Sequence, residues 1–463
     1  MMQDFGRENT YNTESLQAMD NAHYLHPFSD HKSLREKGAR MIVRAEGVYL
    51  WDSDGNKILD GMAGLWCTNI GYGQISVAEV AYNQMLELPY YNSFFQCAHP
   101  PVVELAKEIA SVAPSHMNQV FFTGSGSESN DTVLRMVRHY WSAKGKPEKF
   151  NIISRRNGYH GSTVAGASLG GMKPMHQQGG LPIPGIVHID QPYWFGEGGD
   201  LSPEEFGIKA AQALESAILD LGEDKVAAFI AEPIQGAGGV VIPPETYWPE
   251  IKRILAKYDI LLVVDEVICG FGRTGEWFGT DLYGLEPDLM PIAKGMTSGY
   301  MPMGGVIVSD RVSAVLEEKG GEFNHGYTYS GHPVAAAVAL ENLRIIKEKQ
   351  LIEYVRDDIG PYLQKRWQSL ASHPLVGEAR GVGLVGALEL VKDKASRTRF
   401  DSELGVGGIC RDISVENGLV MRAVGDTMII SPPLVITRDE VEELIAKAEL
   451  ALDLTLEKIQ TLL

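Results

Sequence analysis

The run ILLVVDE, residues 260–266, sets five branched aliphatic residues directly ahead of two acids. An unbroken apolar run of this length fits a strand covered on both faces, as in a parallel sheet flanked by helices. Similar runs stand on either side in the chain: QVFFT (119–123), FNIIS (150–154) and VAAFIAE (226–232). From about Val80 onward they alternate with helical patterns, which is the signature of βαβ units and an α/β fold. Asp265 then falls at the C-terminal end of its strand, where open α/β sheets form their ligand crevice. A carboxylate removed from water there needs a cation or a strong donor, unless it merely caps the next turn. Strand alternation would aim Asp265 and Val267 the same way, toward the edge and face of one flat ligand.

Further elements frame this strand. After Ser129, residues Val133, Met136, Val137, Tyr140 and Trp141 fall on one helical face, and Pro249 to Tyr258 supplies another helix. GVYLWDSDGNKILDG (47–61) reads as a β-hairpin of Val48–Trp51 and Lys57–Leu59 around Asp-Gly-Asn. Past about residue 345 the pattern becomes a long helical run, then a second α+β unit with a hairpin turning at Gly425-Asp426. A capping box, Thr437 to Glu440, opens the terminal helix.

The composition narrows the function classes. Forty-one Lys and Arg against 60 Asp and Glu leave a net charge of −19 over 463 residues, which disfavours nucleic acid and anionic membranes as partners. Cys67, Cys97, Cys269 and Cys410 form no CxxC pair, and the N-terminus lacks a basic and apolar leader pattern. A cytoplasmic protein is expected.

FFTGSGSESNDTVLRMVRHYW (121–141) places a strand, a Gly-Ser turn and an amphipathic helix in succession. Free amides at the helix start, the helix dipole and the hydroxyls of Ser125 and Ser127 form an anion site, or simply a capped glycine turn. The third glycine of a dinucleotide fingerprint is missing, and the one Gly-Lys pair, Gly145-Lys146, precedes Pro147 and makes no mononucleotide loop. In DLMPIAKGMTSG (288–299) another apolar run delivers Lys294 to the sheet edge, where a partly desolvated amine can attack an aldehyde. On its own, Lys294 reads as a surface lysine. A phosphate cradle, a carboxylate for a pyridinium nitrogen and a lysine for an aldehyde are together the needs of pyridoxal phosphate. A competing motif is GASLG (166–170), a match to the nucleophile elbow of serine hydrolases with Ser168 as nucleophile.

ILLVVDEVICGFGRTGEWFG followed by PDLMPIAKGMTSGYMPMGG resembles the signature of the class III pyridoxal-phosphate aminotransferases, in particular the amine or polyamine to pyruvate (omega) transaminases. FFTGSGSESNDTVLRMVR, NGYHGST, AEPIQGAGG and YTYSGHP resemble the family's other blocks. The resemblance implies a fold-type I architecture: a large cofactor domain (76–344) with a mostly parallel seven-stranded sheet between helices, and a smaller α+β domain from 1–75 and 345–463. It implies that Lys294 binds the cofactor's aldehyde and moves the substrate proton, and that Asp265 keeps the ring nitrogen protonated. Val267 and Tyr159 would sandwich the ring, Gly126 and Ser127 would hold its phosphate, and Glu232 would stand beside the cofactor in an unassigned role. Thr328 would reach the phosphate of a neighbouring subunit's cofactor in a homodimer, a dimer of dimers remaining open. Trp66, Phe28 and Tyr159 would line the amine side, and Arg422 would pair with a substrate carboxylate and swing aside for uncharged groups. The implied reaction moves an amino group from a primary amine, diamine or omega-amino acid to pyruvate, giving alanine and an aldehyde or ketone in ping-pong order. A decarboxylase or aminomutase on the same cofactor, and a silent binding protein on the same scaffold, are the alternatives.

Overall fold

The computed structural model describes residues 11–461. Its centre is a seven-stranded sheet in the order Met117–Thr123, Gly304–Ser309, Leu289–Ile292, Leu261–Val264, Val226–Ala231, Asn151–Arg155, Ile186–Ile189. Only Gly304–Ser309 runs antiparallel to its neighbours. The apolar reading of ILLVVDE holds on both faces. Leu261 and Val263 pack with Val133, Val137, Tyr140 and Trp141 on one side, and Leu262 and Val264 pack with Phe206, Leu214, Trp248 and Ile251 on the other. Each side chain that leaves water contributes roughly 1.5–3 kcal/mol, so a strand buried twice over is pinned in register.

The helix expected after Ser129 begins earlier, spanning Gly126–Ala143, because Ser125 caps it: its Oγ accepts from Glu128 N at 3.2 Å. The helix expected at Pro249–Tyr258 runs instead over Tyr247–Leu255, burying Tyr247, Trp248, Ile251 and Ile254. The N-terminal hairpin pairs Tyr49–Asp52 with Lys57–Leu59, and Ile42–Glu46 adds a third antiparallel strand that its weak alternation had hidden. Asp52 accepts from Asn56 N and Nδ2, both at 2.9 Å, and so closes the turn.

A second antiparallel sheet orders Val376–Val382, Val385–Leu390, Thr427–Ile430 and Arg422–Val424, with the hairpin turning at Gly425-Asp426. Leu59 N donates to Gly418 O and Val420 N to Leu59 O, each at 2.9 Å, which ties the N-terminal strands to this C-terminal unit. The final helix, Arg438–Gln460, opens on the Thr437–Glu440 capping box. Among the described residues no helix is long and apolar enough to cross a membrane.

Candidate active site

At the end of the central strand the chain turns rather than continuing as β structure, and this corrects the alternation argument. The strand stops at Val264, and Asp265 Oδ1 accepts from Val267 N at 3.0 Å, closing a tight turn. Asp265 and Val267 still line one cavity, but through that turn. The adjacent acid goes the other way: Glu266 accepts from Gly279 N at 2.9 Å and from Thr280 N and Oγ1, each at 2.6 Å. Burial pushes the Glu266 carboxyl up to about 7, although these donors pull against the rise.

Asp265 is 3 % exposed. Its Oδ2 accepts from His160 Nδ1 at 2.7 Å and from Asn130 Nδ2 at 2.8 Å. A buried carboxylate left alone costs several kcal/mol, and a donor to a charged group returns about 1.5–3, so these two contacts are what let Asp265 stand in the sheet. Neither partner was found by sequence reasoning. Asn130 lies one helical turn after Gly126, and His160 sits next to Tyr159 in NGYHGST; those adjacencies were the available signals.

Gly126, Ser127, Tyr159, Glu232, Asp265, Val267 and Lys294 line this same cavity, joined by His160 and Gly161. The amides of Gly124 and Glu128 are taken by the Glu128 carboxylate (2.6 Å) and the Ser125 hydroxyl (3.2 Å). The early amides of the helix, those of Gly126 and Ser127 included, have no intrahelical acceptor and remain for an anion. The Ser125 hydroxyl is therefore a cap, as one of the two sequence readings of this turn had it, and not a cavity group. The cradle needs its glycines: a Cβ on Gly126 would meet Val267 Cγ1 at 3.1 Å, and one on Gly161 would meet Ser127 Cα and Oγ at 2.7 Å.

Lys294 follows the strand Leu289–Ile292 and takes a positive φ of 47°, a backbone state that costs a non-glycine residue about 1–3 kcal/mol. Its Nζ lies 5.1 Å from the Trp66 ring. Burial is the main force lowering the Lys294 pKa; the nearby Arg422 adds to it, while Cys67, Asp265 and Glu232 oppose it. Glu232 Oε1 accepts from Tyr159 N at 3.1 Å and Oε2 from Gly236 N at 2.9 Å, so this carboxyl holds the backbone behind the Tyr159 ring. Burial raises its pKa, helped by Asp265 and opposed by His160 and Arg155.

The other expected residues lie outside this cavity. Phe28, 77 % exposed, meets Tyr159 edge-on with ring centroids 6.5 Å apart. Trp66 is buried, and the Arg422 guanidinium lies 4.9 Å from its ring centroid, so Trp66 neighbours both Arg422 and Lys294. Phe28 and Arg422 line a neighbouring cavity. Thr328 is exposed, and its carbonyl accepts from Tyr90 Oη at 2.8 Å, away from the cavity of its own chain. Ser168 is buried inside the helix Val164–Leu169, its Oγ donating to Val164 O (2.6 Å) and accepting from Ile183 N (3.1 Å). Both contacts are to backbone, so among the described residues no basic side chain is hydrogen-bonded to this hydroxyl, and the hydrolase motif is an accident of a glycine-rich chain.

A cavity that gathers free helix-start amides, a buried and hydrogen-bonded carboxylate and a lysine of lowered pKa fits pyridoxal phosphate. The family model described as Aminotransferase class-III matches residues 33–452. The chain belongs to the class III aminotransferases.

As a member of that family, this aminotransferase depends on pyridoxal phosphate. It is 68 % identical over 443 residues to a putrescine–pyruvate aminotransferase of Pseudomonas aeruginosa, covering 96 % of this chain and 97 % of the relative. A diaminobutyrate–2-oxoglutarate transaminase of Halomonas elongata is 45 % identical over 423 residues, with 89 % and 90 % covered. Among solved structures, a thermostable (S)-enantioselective omega-transaminase from Thermomicrobium roseum superposes with a TM-score of 0.94 at 44 % identity, covering 96 % of this aminotransferase and all of that chain. An omega-transaminase from Pseudomonas jessenii in complex with PMP also gives 0.94, at 41 % identity and 96 % and 99 % coverage. The fold-type I architecture expected from the motifs agrees with these neighbours.

Proposed function

We propose that this aminotransferase transfers an amino group from a primary amine, with putrescine as the leading donor, to pyruvate, giving the aldehyde and alanine. The observation that carries the reading is the Arg422 guanidinium: it has no ion-pair partner among the described residues and packs, like Lys294, about the Trp66 ring. An uncompensated guanidinium that shares the Trp66 ring with the reacting amine suits the carboxylate of a 2-oxo acid, which it can bind through two parallel N–H donors. The similarity to a putrescine–pyruvate aminotransferase supports the donor and acceptor together.

When bound, pyridoxal phosphate supplies an aldehyde that takes up amino groups and a ring that withdraws electrons from the neighbouring carbon. Gly126 and Ser127 would hold its phosphate with their amides, and Val267 and Tyr159 would flank its ring. Asp265, braced by His160 and Asn130, would keep a proton on the ring nitrogen. Lys294 Nζ would act as general base, taking the proton from the donor's amine-bearing carbon, and its ammonium form would then be the acid that returns that proton in the same amino-group exchange. Glu232 holds Tyr159 in place through its backbone.

In an assay of alanine formation from putrescine and pyruvate, Arg422→Ala is expected to raise the KM for pyruvate by roughly 10–100-fold, the loss of a charge-assisted contact. The KM for the amine should move far less. Equal damage to both substrates would count against the carboxylate role.

The exposed Thr328 supports a homodimer in which this residue completes the phosphate site of the second subunit. Thr328→Ala should then weaken cofactor retention by about tenfold, one hydrogen bond to a charged group. In mixed dimers with a Lys294→Ala chain, the defect should follow the subunit opposite the mutated threonine. A defect that stays with the mutated subunit's own site would overturn the shared arrangement.

A further inference from the structure

The cavity beside the cofactor slot, about 400 Å3, lies within the range of small-molecule sites. Met172, Pro174 and Met175, on and just before the short helix Lys173–Gln177, form one wall; Ala423 and Val424 of the C-terminal hairpin line it too, and Phe28 completes its apolar lining. Flexible methionines and small aliphatic groups suit a chain of methylenes. Its polar groups are mostly committed. Tyr193 Oη donates to Glu389 Oε1 at 2.5 Å, Thr427 Oγ1 donates to Glu389 Oε2 at 2.9 Å, and Arg399 Nη2 donates to the same Oε2 at 3.1 Å. Arg380 Nη2 lies 2.7 Å from Glu389 Oε1 and its Nη1 bonds Glu378 at 2.6 Å, so the two arginines and two glutamates cancel.

Gln191 is different. It lines the cavity at 4 % exposure, and its Oε1 is buried without a hydrogen-bond partner. The amide cannot be turned round to cure this. Its Nε2 donates to Glu197 Oε1 at 2.6 Å, and the reversed amide would set an oxygen against a carboxylate. Glu197 thus fixes which end of Gln191 is left over, and a donor bonded to a carboxylate makes its own carbonyl a stronger acceptor. A buried acceptor without a donor is destabilising, so the site is primed for a ligand N–H.

We propose that Gln191 is a specificity-determining residue of the amine half-reaction: after a small side-chain shift its Oε1 accepts a hydrogen bond from the distal amino group of an aliphatic diamine whose methylenes lie along Met172 and Met175. The proposal rests on the amine–pyruvate reading above. The two charges facing a distal ammonium from elsewhere are Arg399, offset by Glu389, and Arg422; Gln191 with Glu197 behind it supplies the opposing attraction.

The test compares putrescine with n-butylamine, which has the same carbon chain and no distal nitrogen, as donors to pyruvate with the holoenzyme. Gln191→Met keeps the shape and removes the acceptor, and the exposed Glu197 can replace its lost donor with water. Its kcat/KM should fall roughly 10–100-fold for putrescine and by less than about threefold for butylamine, with the alanine half-reaction serving as the check on a folded site. The double variant Gln191→Glu with Glu197→Gln, which keeps an oxygen acceptor at 191 and restores a donor between the two side chains, should retain the preference for the diamine. Equal losses on both amines, or no loss on putrescine, would overturn the assignment, as would a Gln191→Glu, Glu197→Gln double variant that loses the preference together with Gln191→Met. A wild-type enzyme that transfers from neither amine would refute the functional reading itself, and the assignment with it.

Discussion

Lys294→Ala is expected to fold and to bind pyridoxal phosphate reversibly while losing at least ~10^4-fold in turnover, the upper end of what one positioned acid–base group supplies. Alanine is the informative replacement because it keeps the strain at φ 47°, whereas glycine would also relax the backbone. Borohydride treatment of the holoenzyme should fix the cofactor covalently to residue 294 in the wild type and leave the variant unmodified by mass spectrometry. The pH dependence carries the same logic. Burial and Arg422 depress the Lys294 pKa, so the neutral amine is present at a lower pH than for an exposed lysine. As pH falls through that depressed value the ammonium form returns, and the competence of the free amine falls with it. Removing Arg422 should move this acid limb upward. Normal multiple-turnover activity in Lys294→Ala would remove Lys294 from proton transfer altogether.

How far the sequence could be read follows from which forces are local. Five aliphatic residues before Asp265 announce a strand buried on both faces, because period and burial are written along one segment. The same holds for the apolar face of Val133, Met136, Val137, Tyr140 and Trp141, all of which are buried. What could not be read is coupling between segments. The His160 and Asn130 donors reach Asp265 from a loop and a helix that are 105 and 135 residues away in the chain, and no pattern within either segment encodes the meeting. Turn geometry was also missed. Asp265 draws Val267 N onto its own side chain and ends the strand there, a local competition between side chain and ladder that an apolar run conceals. Gln191 shows the same limit: a glutamine in a loop is unremarkable until its amide is found fixed by Glu197 at a cavity wall.

Asp265→Asn should lower kcat/KM for the amine roughly 10^3-fold, which corresponds to about 4 kcal/mol of transition-state stabilisation. The size follows from what the carboxylate does in its bonds. Oδ2 serves two donors, His160 and Asn130, and Oδ1 serves Val267 N, so all three recorded contacts require an acceptor at each oxygen. An asparagine retains one oxygen. Placed at Oδ2, it keeps both side-chain donors but sets its NH2 group against the Val267 N–H, and the turn that carries Val267 into the cavity is lost. Placed at Oδ1, it keeps the turn but opposes two buried donors. The first arrangement is less costly, at about 1–3 kcal/mol of stability for one orphaned donor, and would register as a lowered Tm. The neutral amide also cannot hold a proton on the ring nitrogen by charge, and that deficit sets the rate. Asp265→Glu separates the two effects: it keeps the charge and displaces it by one methylene, so it should recover part of the rate without restoring the turn. Wild-type rates in Asp265→Asn together with a lowered Tm would mean that this carboxylate serves only to bend the chain at 265–267, and that proton retention on the ring lies with another group.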